Sequence, residues 1–159
     1  MENSGAVYLK RNRLAELEEE LIKLKTSGRK NMANKIAEAR SHGDLSENAE
    51  YDAAKEEQTH LEMKINKIEN ILSRVKVLAP EDMPDGEVFV LANVKVKDIT
   101  NKEEITYTLV SPEEADFEQD KISVVSPIGK AMLGKKVGDR IEVDVPIGKM
   151  KYEILEITK

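Results

Sequence analysis

The residues best suited to chemistry lie in one stretch, GDLSENAEYDAAKEEQ, residues 43–58. Asp44 and Glu47 open it, and Glu50, Asp52, Glu56 and Glu57 follow. Two carboxylates about one helical turn apart suit Mg²⁺-dependent phosphodiester hydrolysis. One can help to hold an ion through oxygen while the other orients or deprotonates water. The same spacing also suits plain structure. Asp44-Leu-Ser-Glu47 has the form of a capping box, Gly43 is a natural residue just past the end of a helix, and acids in a first turn complement the helix dipole. A cap uses one or two carboxylates, whereas residues 44–62 hold seven acids and one base, Lys55. On these residues alone both readings stand.

Nothing else in the chain offers a self-contained catalytic constellation. The absence of cysteine excludes disulfides, zinc–thiolate sites and thiol catalysis. The two histidines, His42 and His60, are isolated and expected at the surface. No run approaches the roughly 18 apolar residues of a membrane span, and the N-terminus lacks a signal-peptide pattern. The expectation is a soluble, cytoplasmic protein with no membrane partner.

The elements that must position the acidic stretch follow from periodicity. Leu14, Leu17, Leu21 and Leu24 form a heptad seam that pauses at Thr26-Ser27-Gly28 and resumes with Met32, Ile36 and Ala37. A second seam runs through Tyr51, Ala54, Gln58, Leu61, Ile65, Ile68, Leu72 and Val75, with neither Pro nor Gly between Asp44 and Ala79. Two such segments joined by a short turn bury their seams by folding back on each other. Residues 1–78 are therefore predicted to form an antiparallel coiled-coil hairpin, a finger with arms of roughly 45 Å and its tip at Gly43-Asp44-Leu45.

Residues 79–86, Ala-Pro-Glu-Asp-Met-Pro-Asp-Gly, break the helix and are expected to be a linker. Beyond them the period becomes two, at Val88/Val90, Val94/Val96, Ile105/Tyr107/Leu109, Ile122/Val124, Ile141/Val143/Val145 and Tyr152/Ile154. Asn101-Lys102 and Pro146-Ile147-Gly148 read as hairpin turns. Ser126, Pro127 and Gly134 read as the N-cap, first residue and stop of a short helix. Residues 87–159 are thus expected to be a small α+β domain built on an antiparallel sheet.

The net charge of −6 is unevenly placed. Residues 1–78 carry 14 basic and 14 acidic side chains, and residues 79–159 carry 11 and 17. A protein that grips duplex DNA by counterion release shows the opposite bias, so general DNA binding is not expected.

The run IAEARSHGDLSENAEYDAAKEEQ, Ile36 to Gln58, resembles the signature of the bacterial transcript cleavage factors, the GreA/GreB family. ADFEQDKISVVSPIGKAMLGKKVGD, Ala115 to Asp139, resembles the family's second signature, and its GKKVGD ending looks more like the GreA side. Domain order, linker position and length agree over nearly the whole chain. One departure is Lys30, where the family commonly has proline after an arginine.

What the resemblance implies is a transcription elongation factor rather than a free-standing enzyme. Such factors insert a coiled-coil finger through the secondary channel of RNA polymerase and stimulate its own cleavage of backtracked nascent RNA. Asp44 would help to hold a Mg²⁺ ion shared with the polymerase, and Glu47 would position or activate water. Arg40 and Lys55 would contact the 3′ segment of the transcript, while Gly43, Asn48 and Tyr51 would brace the tip. Ser126, Pro127 and Ile128 would dock on the polymerase rim. The resemblance also implies a monomer and an FKBP-like second domain. An FKBP-like isomerase or chaperone is a competing reading, but residues 79–159 offer only Phe89, Tyr107, Phe117 and Tyr152 to line a pocket. A regulator that occupies the channel without promoting cleavage is another. The stretch Gly43 to Asn48 matches the cleavage-competent pattern and favours the active factor.

Overall fold

The structure is a computed structural model and describes residues 5–41 and 48–159. The chain divides into two compact units, Asn12–Arg74 on the one hand and Val75–Lys159 with the segment ending at Arg11 on the other.

The first unit is a helical hairpin. Its first arm runs from α1 (Arg11–Lys23) through a single π-helical turn (Leu24–Gly28) into α2 (Arg29–Arg40). Its second arm is α3 (Ala49–Ser73), roughly 37 Å long at 1.5 Å per residue. The seam is as predicted at Leu17, Met32, Ala54, Ile65 and Ile68, all buried, but it ends on Ile71, and Ala39 replaces Ala37 in the first arm. Ladders of opposite charge flank it. Lys25 Nζ lies 3.3 Å from Glu69 Oε2, Arg29 Nη2 is 2.8 Å from Glu62 Oε1, and Lys35 Nζ is 2.6 Å from Glu57 Oε2. In these three pairs partner numbers fall as first-arm numbers rise, as in antiparallel arms.

The π-turn explains the pause at Thr26-Ser27-Gly28. Leu17 to Leu24 is seven residues, Leu24 to Met32 eight, and Met32 to Ala39 seven. One residue too many for a heptad falls where the helix widens, and the Arg29 N–H reaches back five residues to the Leu24 carbonyl. The wider turn takes up the extra residue, so Met32 and Ala39 stay on the same face as Leu17 and Leu24. Side-chain hydroxyls serve carbonyls of the preceding turn: Thr26 Oγ1 donates to Ile22 O at 2.7 Å and Ser27 Oγ to Lys23 O at 3.2 Å.

The second unit contains two sheets. β1 (Val7–Leu9) pairs in parallel with β2 (Val75–Val77), in the register Val7↔Val75 and Leu9↔Val77. The Tyr8 N–H donates to the buried Ser111 Oγ at 3.0 Å. A five-stranded sheet has the order β5 (Lys121–Ser123), β4 (Glu103–Val110), β3 (Asn93–Asp98), β7 (Gly148–Thr158), β6 (Arg140–Val145). It is mixed, because β4 and β5 run parallel while the other pairs are antiparallel. A bulge in β7 opposite Lys95 and Val96 changes the alternation: Tyr152 and Ile154 face the core, and Ile157 rather than Glu156 packs against it next. Val88 and Val90 are core residues but belong to no strand.

Two domain boundaries differ from the sequence reading. Residues 7–9 and 75–77 do not belong to the helical hairpin, since their backbones pair with each other as strands. Within residues 79–86, expected as a linker, Met83 is 5% exposed and lies in the core of the second unit. Proline and glycine there mark the end of a helix and say nothing about burial.

Candidate functional site

The two arms meet at their joined end, where residues 41–48 connect α2 to α3. Asp44, Glu47 and Gly43 belong to this connection and lie outside the described residues, as does His42. The N-cap of α3 is Asn48, in extended backbone geometry, and not Asp44 as the capping-box pattern suggested. Its Oδ1 accepts from the Tyr51 N–H at 3.1 Å, and its Nδ2 donates to the carbonyl of Ala39 on the opposite arm. One side chain therefore caps one helix and ties it to the last turn of the other.

Arg40, the last residue of α2, is exposed and places its guanidinium 5.6 Å from the centroid of the Tyr51 ring. A hydrogen bond from Arg40 and, less strongly, its charge hold the Tyr51 phenol below the usual tyrosine range. Tyr51 is half-buried, and its ring carries the Arg40 cation. Lys55, one turn on, is exposed, and its Nζ donates to Gln58 Oε1 at 2.9 Å. Arg40, Asn48 and Tyr51 thus form one cluster with the Ala39 carbonyl. The contribution of Ala39 had no sequence signal, because it is made by backbone.

The acid excess around this end is less uniform than the sequence suggested. Glu57 and Glu62 are neutralised by Lys35 and Arg29 across the hairpin. Arg29 holds the Glu62 carboxyl below its ordinary value, first by hydrogen bonding and then by charge. These pairs are structural, and they narrow the unexplained acidity to the connection and the first turns of α3. Among the described residues no group of three or more His, Asp or Glu side chains is placed to hold a metal ion. Among them, too, no helix is long and apolar enough to cross a membrane.

In the second unit Ser126 caps α4 (Pro127–Met132) as predicted. Its Oγ accepts from the Gly129 N–H at 3.1 Å and donates to the Ser123 carbonyl at 2.6 Å. Gly129 must be glycine, since a Cβ there would lie 2.0 Å from the Ser123 carbonyl oxygen. Ile128 packs against the core, which leaves Pro127 and Val125, 57% exposed, as the outward side chains of this segment. The four aromatics of this half do not gather around one cavity: Tyr107 and Tyr152 are buried in the core, whereas Phe117 is 87% exposed.

Comparison with known proteins covers both units. Residues 7–77 match the family model described as transcription elongation factor, N-terminal, and residues 83–159 that described as transcription elongation factor GreA/GreB, C-terminal. The chain is 52% identical over 155 residues to transcription elongation factor GreA of Chlorobaculum parvum, covering 97% of this chain and 98% of the relative. It is 49% identical over 156 residues to the GreA of Flavobacterium johnsoniae, covering 98% and 99%. Among solved structures, GreA factor homolog 1 of Thermus thermophilus is 30% identical, with 97% of this chain and 99% of that one covered and a TM-score of 0.44. With both family models matched in order along nearly the whole chain, the protein belongs to the GreA/GreB family of transcription elongation factors.

Proposed function

We propose that this factor acts on RNA polymerase by inserting the joined end of its helical hairpin through the secondary channel, where it stimulates the polymerase's own hydrolysis of backtracked RNA. The observation that supports the reading is that Gly43-Asp44-Leu45-Ser46-Glu47-Asn48 lies in the sequence between Arg40, where α2 ends, and Ala49, where α3 begins. A two-helix arm is narrow enough to enter a channel, and its end is where a short segment meets an active site.

In this reading Asp44 contributes one carboxylate to a Mg²⁺ ion shared with acidic residues of the polymerase. The donor chemistry fits, because magnesium prefers carboxylate oxygen and is commonly held by one or two protein carboxylates plus waters. When bound, the ion supplies electrostatic stabilisation of the phosphodiester undergoing attack and lowers the pKa of coordinated water. Glu47 orients the attacking water or accepts its proton. Arg40 and Lys55 offer positive charge to the phosphates of the extruded 3′ segment. The exposed Pro127 and Val125 beside the capped start of α4 form the docking surface on the channel rim.

The test is cleavage of labelled RNA in a stalled, backtracked elongation complex, comparing the protein with Asp44→Ala and Glu47→Ala. Loss of cleavage in both with retained polymerase binding supports the reading. Binding without cleavage by the unaltered protein replaces it with a channel-occupying regulator.

A further inference from the structure

Asn48 performs two jobs that can be separated chemically. Its Oδ1 caps α3 by accepting from the Tyr51 N–H at 3.1 Å, and its Nδ2 donates to the Ala39 carbonyl of α2. The capping job is local and many residues can do it, since Asp, Ser and Asn are about equally good N-caps. The cross-arm job needs a donor pointing away from the cap, and of these three only Asn supplies a donor and an acceptor fixed in one planar group. The arms have other ties, but the nearest charged one, Lys35 to Glu57, joins exposed side chains about two turns of α3 from the connection. The Asn48–Ala39 bond ties the two arms where they enter it.

We infer that Asn48 is a positioning residue for the cleavage reaction proposed above: its amide fixes the separation and rotation of the two helix ends between which the acid-bearing segment runs. The inference rests on that proposed function. Arg40 strengthens the same clamp, because its guanidinium lies against the Tyr51 ring whose backbone N–H Asn48 receives. The amide acts through the helix ends and touches no reacting atom. Its expected signature is therefore a lower cleavage rate at saturating factor, with the concentration for half-maximal effect unchanged. Misplacement of a catalytic group by about an ångström lowers rates by up to roughly 100-fold.

The experiment uses the full chain with Asn48→Asp and Asn48→Ser, both of which keep the cap acceptor. Neither places a donor on the Ala39 carbonyl as the amide does, and the aspartate sets a negative charge against it. Cleavage of backtracked RNA is titrated against factor concentration. Helix content and Tm report folding, and NMR in the free protein reports hydrogen exchange of the Asn48 side-chain amide. Expected are near-native helix content, a slowly exchanging amide in the unaltered protein, an unchanged half-maximal concentration, and a saturating rate about 10- to 100-fold lower in both variants. Variants that cleave at the native saturating rate overturn the inference, as does a shift confined to the half-maximal concentration. If the unaltered protein does not cleave at all, the proposed function fails. The clamp is then judged by the amide alone, and exchange as fast as in exposed asparagines overturns it.

Discussion

Arg29 and Glu62 face each other across the two arms in a fork-to-fork pair, with Nε 3.1 Å from Oε2 and Nη2 2.8 Å from Oε1. The pair follows immediately on the π-turn, so it holds the first arm in phase with the second just where the extra residue has been taken in. Arg29 therefore serves the hairpin.

This pair makes a signed prediction about acid. Arg29 lowers the folded-state pKa of Glu62 below its ordinary 4.5. The stabilisation from the pair is present above that ordinary value and is lost as pH falls through the depressed one. Arg29→Ala should lower Tm slightly at neutral pH, and the difference from the native protein should shrink on acidification. Thermal melts between neutral pH and about pH 3 check this. Added salt should shrink the difference too, because both side chains are half exposed.

Deleting Ser27 tests the role of the π-turn. The deletion makes Leu17, Leu24, Met32 and Ala39 evenly spaced by seven, so a continuous α-helix can keep the seam without a widened turn. Stability should stay within about 1 kcal/mol of the native protein or rise, with full helical circular dichroism. Inserting an alanine after Ser27 should be clearly destabilising instead, since a second surplus residue has no turn to absorb it. A deletion that unfolds the hairpin would show that the surplus residue is not slack.

Asp98 is the buried organiser of the β3–β4 connection. Its carboxylate accepts from the Thr100 N–H at 2.9 Å, the Asn101 N–H at 3.1 Å and Asn101 Nδ2 at 3.1 Å. Asp98→Ala leaves these donors without that partner and should cost about 2–3 kcal/mol in denaturant unfolding. Asp98→Asn should cost less, because one side-chain oxygen remains to accept.

Much of the fold was legible because side-chain period reports the face that is buried. The heptad leucines gave away the first arm, and the alternation of Val94/Val96, Ile105/Tyr107/Leu109 and Ile141/Val143 gave away three strands. What was not legible lay where one signal imitates another. Val75 continues the second-arm spacing, yet it begins β2, because a three-residue parallel pairing with Val7–Leu9 leaves no periodic trace. At the end of the seam Ile71 is the buried residue and the expected Leu72 is only half-buried, so the seam closes on a step of three. Asp44-Leu-Ser-Glu47 has capping-box chemistry, but the helix starts five residues later behind Asn48. At the candidate site, the types and order of Arg40, Asn48 and Tyr51 could be read from sequence. Their meeting could not, since it depends on the Ala39 carbonyl and on two arms held in phase by a turn no heptad pattern encodes.

We propose that the carboxylates of Asp44 and Glu47 act within the polymerase active site. The most direct measurement is the saturating rate of RNA cleavage in a backtracked elongation complex with Mg²⁺, for the native protein and for Asp44→Ala and Glu47→Ala, with polymerase binding measured alongside. Expected are rapid cleavage by the native protein and a loss of at least about 100-fold in each variant at undiminished binding, the scale expected when a general base or metal-holding group is removed. Native rates in both variants would contradict it and leave the acidic connection with a structural role alone.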